Sequence, residues 1–238
     1  LMTHITNYPI IHFHGGEKTS GSKDDNYRHA ISKLSQYHFV SHQIFKKILI
    51  QLGENKKSIF NIGSLSLENI STSKKNIEEK ILNLEFLCAK NDFYIISFHP
   101  SIDLNKTKKE FYSILNVIKK LKKINFVFTS PNQDPGYKFI FQNIKKFVEK
   151  YDNIYYYKNF GKKNFFYVLK RSKGIIGNSS AGIIEAPYLK KPTINIGERQ
   201  NGRLMSSTIF NSGPNSNKAS GYTKNRWFEK AEVIPIIR

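Results

Sequence analysis

Two groups of residues have the types and spacing that chemistry on a phosphorylated substrate requires. The first lies between Gly174 and Arg203, in GIIGNSSAGIIEAPYLKKPTINIGERQNGR. It reads as a short buried strand at Ile175 and Ile176, then a tight Gly-Asn-Ser-Ser turn. A helix is expected from near Ser180 to just before Pro192, followed by an apolar strand from Thr193 to Ile196. Gly177, Ser179, Ser180, Ala181 and Gly182 are small, so the first amide N–H groups of such a helix stay open, and its dipole favours an anion such as a diphosphate. Ser179 and Ser180 add hydroxyl donors, and Glu185 can accept from sugar or ribose hydroxyls. Arg199 and Arg203 add two guanidinium forks that suit phosphate oxygens better than lysine does. Taken alone, the serines read better as N-caps of an ordinary βαβ unit. Together with Glu185 and the arginines they favour a phosphate site.

The second group follows an expected buried strand, Ile10 to Phe13, which Pro9 starts where a missing N–H does least harm. Its carboxyl end carries His12, His14, Gly15, Gly16 and Glu17, the end at which open α/β sheets place ligands. A helix is expected from about Asp24 and Asp25, with Asp25, Arg28 and His29 on one face. That trio also fits a plain helix start with a surface ion pair. A later strand, Phe93 to Phe98, presents His99-Pro100 at its carboxyl end. His12 and His14 alternate along a strand but lack the partners a metal site needs, so neither metal nor cofactor is expected.

These residues need elements to hold them. The sequence predicts strands at 38–41, 59–62, 126–129 and 154–157, and helices at 44–52, 107–123, 139–151 and 164–172. The helix at 107–123 carries an apolar stripe of Phe111, Ile114, Leu115, Ile118 and Leu121. Most aromatic residues here read as core, with Phe160, on a strand-exit loop, a candidate to stack on a base. Strand and helix alternate at short spacing, which argues a parallel, doubly wound sheet. Composition divides the chain into a first unit at 1–68, a polar linker region at 69–92, a second unit at 93–210 and a loosely packed tail at 211–238.

The 238 residues carry a formal charge of +20, which raises a nucleic-acid reading. The lysines are scattered in pairs such as Lys46-Lys47 and Lys190-Lys191, so composition bias on solvated faces is the better account. Cys88 is the single cysteine, which excludes an internal disulfide and fits a reducing compartment. No apolar run approaches the ~20 residues of a membrane helix, and His4, Thr6, Asn7 and His12 interrupt any signal-peptide pattern. A soluble cytoplasmic enzyme is expected.

GNSSAGIIEAP followed by NIGERQNGR resembles the nucleotide-binding stretch of the hydrolysing UDP-N-acetylglucosamine 2-epimerases. The bacterial branch that makes N-acetylmannosamine for sialic-acid-type sugars is the most similar. HFHGGEKTSGSKDDNYRHAISKLSQYHFVS, FNIGSLSLENI and ISFHP resemble that family in the same order, so the likeness runs from Pro9 to about Arg203.

The resemblance implies two Rossmann-like domains facing a cleft (GT-B type), the first incomplete in this chain. It implies UDP or UDP-sugar contacts from His14, Arg28, His99, Asn178, Ser179, Ser180, Gly182, Glu185, Arg199, Gly202 and Arg203. Glu17, Asp24, Asp25 and His99 become the catalytic candidates. Other branches have a glutamate at the position of His14, which leaves His14 open as an alternative acid–base group. UDP leaves C1 while C2 loses a proton, water then adds, and N-acetylmannosamine and UDP are released. The resemblance leaves open UDP-N-acetylglucosamine or a related UDP-diacetamido sugar, and implies a homo-oligomer for the full-length enzyme. With part of the first domain missing, activity is expected to be impaired. A GT-B glycosyltransferase and a non-catalytic UDP-binding or nucleic-acid-binding module remain the alternatives.

Overall fold

The computed structural model describes residues 8–19, 24–68 and 92–212. Residues 1–7 and 20–23, the linker region at 69–92 apart from Asp92, and the chain beyond Ser212 lie outside the described residues, with the expectations that fall on them. The structure is α/β, with one parallel sheet of three strands and another of six.

The first sheet holds β1 (Ile11–Phe13), β2 (Tyr37–Val40) and β3 (Ile59–Asn61) in that order. Helix α1 (Asp24–Leu34) joins β1 to β2, and α2 (Gln43–Gln51) joins β2 to β3. The acidic pair opens α1 as the sequence predicts, where negative charge suits the helix dipole. Phe45 and Leu49 of α2 pack against Val40 and Ile59.

Among the described residues, no element covers the other face of this sheet. Ile11, Phe13, Tyr37 and Phe60 are 52%, 46%, 46% and 43% exposed. Phe13, Phe39 and Phe60 stack in a row across the strands, with centroids 5.1 and 5.3 Å apart. The expectation of a buried β1 is therefore corrected. Successive side chains take opposite faces, so His12 turns inward while Ile11 and Phe13 meet solvent.

The second sheet runs β6-β5-β4-β7-β8-β9, all neighbours parallel. Its strands are β4 (Phe93–Ser97), β5 (Asn125–Thr129), β6 (Ile154–Tyr157), β7 (Ile175–Gly177), β8 (Thr193–Ile196) and β9 (Ile209–Ser212). Tyr94 and Ile96 of β4 join the core formed with α3 (Leu104–Lys120) and α4 (Tyr137–Lys150). Phe93 and Ile95 join the opposite core, with Val168 and Leu169 of α5 (Gly161–Arg171). Cover on both faces is why these strands read as unbroken apolar runs.

Several boundaries move by one to three residues, and two of the shifts have a visible cause or consequence. Helix α3 starts three residues before the expected Thr107, because the Asp103 carboxylate accepts from the N–H groups of Asn105 and Lys106 at 2.8 and 3.2 Å. Residues 209–212, assigned partly to a polar tail, form β9, with Ile209 and Ser212 buried.

Strand order reverses at β4, with β5 and β6 to one side and β7, β8 and β9 to the other. The carboxyl ends of β4 and β7 thus form the switch point, where open α/β sheets leave a crevice.

Candidate functional site

The switch point is held by one buried amide. Gly177 ends β7 at a φ of +139°, and a β-carbon there would lie 2.0 Å from the Ser97 carbonyl oxygen. Only glycine lets the two strand ends come this close. Asn178 follows, fully buried. Its Oδ1 accepts from the His99 N–H at 2.7 Å, and its Nδ2 donates to the His99 carbonyl at 2.9 Å. The Asn178 carbonyl in turn accepts from Arg199 Nη1 at 3.1 Å and Gln200 Nε2 at 2.7 Å. Asn178 therefore sets the positions of both His99 and Arg199.

His99 Nδ1 accepts from the Asn132 N–H at 3.1 Å, so its ring proton sits on Nε2. Burial, and then the Arg199 charge, push its pKa down to about 4. At neutral pH it is an uncharged donor.

Arg199 and Arg203 lie on the irregular crossover of residues 197–208 between β8 and β9. Burial lowers the pKa of both guanidinium groups; Asp134 and Asp24 oppose this at Arg199, and Glu17, Glu185 and Asp24 at Arg203. Both remain charged, as arginine does in proteins.

From the first sheet, Glu17 reaches this arginine crossover. Its Oε1 accepts from Ser41 Oγ at 2.7 Å and lies 2.9 Å from His14 Nδ1, while Oε2 accepts from Arg203 Nη1 at 3.3 Å. Burial pushes the Glu17 carboxyl up, but His14, Ser41 and Arg203 outweigh it and hold the group below its usual range. His14 takes the left-handed conformation at a φ of 62°, uncommon outside glycine, and its N–H donates to the Phe39 carbonyl at 2.8 Å. Glu185 of α6 (Glu185–Tyr188) forms a second bridge between the sheets. Burial raises its pKa against a hydrogen bond from Ser66 and the Arg203 charge.

Asp25 and Arg28 are brought to the same place in a supporting arrangement. Asp25 Oδ1 accepts from the Thr19 N–H at 2.7 Å and lies 3.5 Å from Arg28 Nη1. Arg28 also donates to the Glu17 carbonyl at 3.0 Å and to Thr19 Oγ1 at 3.2 Å. This pair braces the loop that carries Glu17. Asp24 is exposed and contributes negative charge toward both arginines.

The expected helix from Ser180 is not formed. Ser180–Gly182 is a single 3-10 turn, and α6 has only four residues, EAPY. Pro187 lacks the N–H that would continue a longer helix from Ser180. The Ser179 hydroxyl caps the turn by accepting from the Ala181 N–H at 3.3 Å. A turn this short carries little dipole, so the positive charge at this end of the sheet comes from Arg199 and Arg203. Gly182 serves packing, since a β-carbon there would meet Thr193 Cγ2 at 2.7 Å. Gly202 turns the arginine crossover at a φ of 87°. Phe160, the candidate base platform, is 9% exposed and stacks on Tyr157 within the core.

Sequence reasoning missed Ser41, Ser66, Asn132 and Gln200. Ser41 follows β2 directly, so the carboxyl-end rule could have found it; the other three carry no local signal. Among the described residues no cluster of three or more His, Cys, Asp or Glu side chains could hold a metal ion. No helix among them is long and apolar enough to cross a membrane.

Paired parallel sheets with a strand-end site between them define the GT-B class of α/β architecture. The fold agrees with solved epimerases. It superposes on the Neisseria meningitidis UDP-GlcNAc 2-epimerase bound to UDP-GlcNAc with a TM-score of 0.80, at 18% identity, over 99% of this chain and 68% of that one. For the Staphylococcus aureus MnaA-UDP co-structure the TM-score is 0.78, at 17% identity, over 99% and 65%. The family model described as UDP-N-acetylglucosamine 2-epimerase matches residues 1–227, and the chain belongs to that family.

Among curated relatives, a Campylobacter jejuni GDP/UDP-N,N'-diacetylbacillosamine 2-epimerase (hydrolyzing) is 39% identical over 89% of this chain and 55% of its own length. The Escherichia coli polysialic acid biosynthesis protein P7 is 38% identical over 86% and 52%. The chain spans about half the length of the curated relatives it matches.

Proposed function

We propose that this chain forms the nucleotide-binding side and part of the sugar-facing wall of a hydrolysing UDP-sugar 2-epimerase. The observation that carries the reading is the meeting of Arg199, Arg203, neutral His99 and ionised Glu17 at one switch point. The arginines would neutralise the departing diphosphate, and His99 Nε2–H would donate to it. Glu17, with Asp24 as second proton carrier, would take the proton from C2 as UDP leaves C1. Water would then add at C1 and a proton return to C2 from the opposite face, giving N-acetylmannosamine and UDP. Ser179, Ser180, Glu185 and Gly202 would line the nucleotide, with Asn178, buried beneath, holding His99 and Arg199 in place.

Relatives named as hydrolyzing favour the hydrolysing reaction. UDP-N-acetylglucosamine and UDP-N,N'-diacetylbacillosamine are the two substrates to compare, and the polysialic acid relative supports a place before sialic-acid-type sugars. The single cysteine fits a cytoplasmic setting.

Titration calorimetry with UDP tests the site. Charge-assisted hydrogen bonds contribute roughly 1.5–3 kcal/mol each, so Arg199→Ala should weaken UDP at least about tenfold. Unchanged affinity would overturn the assignment. Release of UDP from each sugar nucleotide, with the free sugar identified, decides the substrate.

A further inference from the structure

Arg203 is engaged within the protein, and it has hydrogen-bonding capacity left over. One Nη donates to Glu17 Oε2 at 3.3 Å, and the side chain is only 16% exposed. Among the described residues its Nε is buried without an acceptor, and Glu185 Oε2 without a donor. A buried donor and a buried acceptor left open, on side chains whose charges interact, cost free energy. That cost is relieved by a ligand that supplies oxygen acceptors to the arginine and a hydroxyl donor to the glutamate. A nucleoside diphosphate has both.

Glu17 is held from its other side by Ser41 and His14, both on the first sheet with it. It therefore keeps its place when Arg203 turns away. The crossover that carries Arg203 is irregular chain, anchored at Arg199 and Gln200 through the Asn178 carbonyl. Arg203 comes after that anchor, so its guanidinium can shift without moving the switch point.

We infer that Arg203 is a shared cation, paired with Glu17 in the empty site and handed to the diphosphate when the nucleotide binds. The exchange makes loading of the leaving group the event that uncovers Glu17. An empty site keeps its base masked, and a loaded one exposes it beside the sugar. Arg203 would thus position and gate Glu17 as well as hold phosphate. The inference rests on the diphosphate reading of the arginine crossover proposed above.

The exchange makes Glu17 and the diphosphate competitors for one cation, which yields a result that a merely structural ion pair would not. In calorimetry on the 238-residue chain, Glu17→Gln should tighten UDP about tenfold, because Arg203 no longer has to leave a charged partner. Uridine, which lacks the diphosphate, should bind the wild type and the variant alike. In an Arg203→Gln background, Glu17→Gln should change UDP affinity less than twofold. Arg203→Lys should restore part of the coupling.

Equal or weaker UDP binding by Glu17→Gln, with the variant folded by circular dichroism, would overturn the exchange and leave the nucleotide site standing. Tightening that persists in the Arg203→Gln background would also overturn it. Failure of the wild type to bind UDP at all would overturn the site itself, and the exchange with it.

Discussion

Asn178 and His99, 79 residues apart, close a reciprocal pair of hydrogen bonds: side-chain oxygen to backbone N–H at 2.7 Å, and side-chain nitrogen to backbone carbonyl at 2.9 Å. The pair joins the exits of β4 and β7, so the site's histidine is set by the exit of a different strand. Replacing Asn178 with alanine strands both His99 backbone groups in a buried place, at about 1–3 kcal/mol per group. Thermal or urea denaturation should show a loss of about 2–6 kcal/mol. Asn178→Asp should also destabilise, because its second oxygen would face the His99 carbonyl.

Glu110 on α3 sits directly beneath the Gly197 turn that opens the arginine crossover. A β-carbon at Gly197 would lie 2.2 Å from Glu110 Oε1, and Oε2 has no partner among the described residues. The two residues line a cavity of about 400 Å³ with Lys106, Glu198 and Asn211. Burial, then the Glu198 charge, push the Glu110 carboxyl up to about 7. A carboxyl whose folded pKa exceeds its unfolded one binds more protons when folded, so stability falls as pH rises from about 4.5 to 7. Glu110→Gln should therefore match the wild type near pH 4 and exceed it at pH 8 by on the order of 2 kcal/mol. Equal stability at pH 8 would refute this.

Two histidines act in the opposite direction. Burial, aided by neighbouring positive charge, pushes His12 and His99 down to about 4. The unfolded chain binds protons that the folded one refuses, so stability is lost as pH falls from about 6.5 toward 4. His12→Asn, where Ser32 Oγ offers a partner 3.0 Å from the ring, should flatten that acid limb in melting curves taken at several pH values. An unaltered limb would contradict it.

The exposed face of the three-stranded sheet bears on activity. Parallel sheets are normally covered on both sides, yet Phe13 and Phe60 remain 46% and 43% exposed. The 238-residue chain alone is predicted to bind a hydrophobic dye, to self-associate and to show little turnover. Phe13→Thr with Phe60→Thr should reduce dye binding and association while leaving UDP affinity unchanged. Normal turnover by the monomeric chain would contradict the prediction.

Much was legible locally. The runs at Phe93–Ser97 and Thr193–Ile196 announce buried strands, and the spacing of Phe111, Ile114, Leu115 and Ile118 announces a helix. Those signals depend only on nearest neighbours along the chain, as does the placing of His14, Glu17, His99, Asn178 and Arg203 just past strands or in loops. Pairings between distant residues leave no such trace. Glu17 with Arg203 spans 186 residues; in the sequence Glu17 read as a catalytic candidate and Arg203 as a phosphate contact, while the packing of the two sheets sets them together. The Ser179-Ser180 turn misled for the same reason. Its small residues look like a helix start that holds an anion, but Gly182 is small because Thr193 presses on it. Periodicity along the chain determined the elements, and the convergence of strand ends at the β4–β7 reversal decided which side chains share charge.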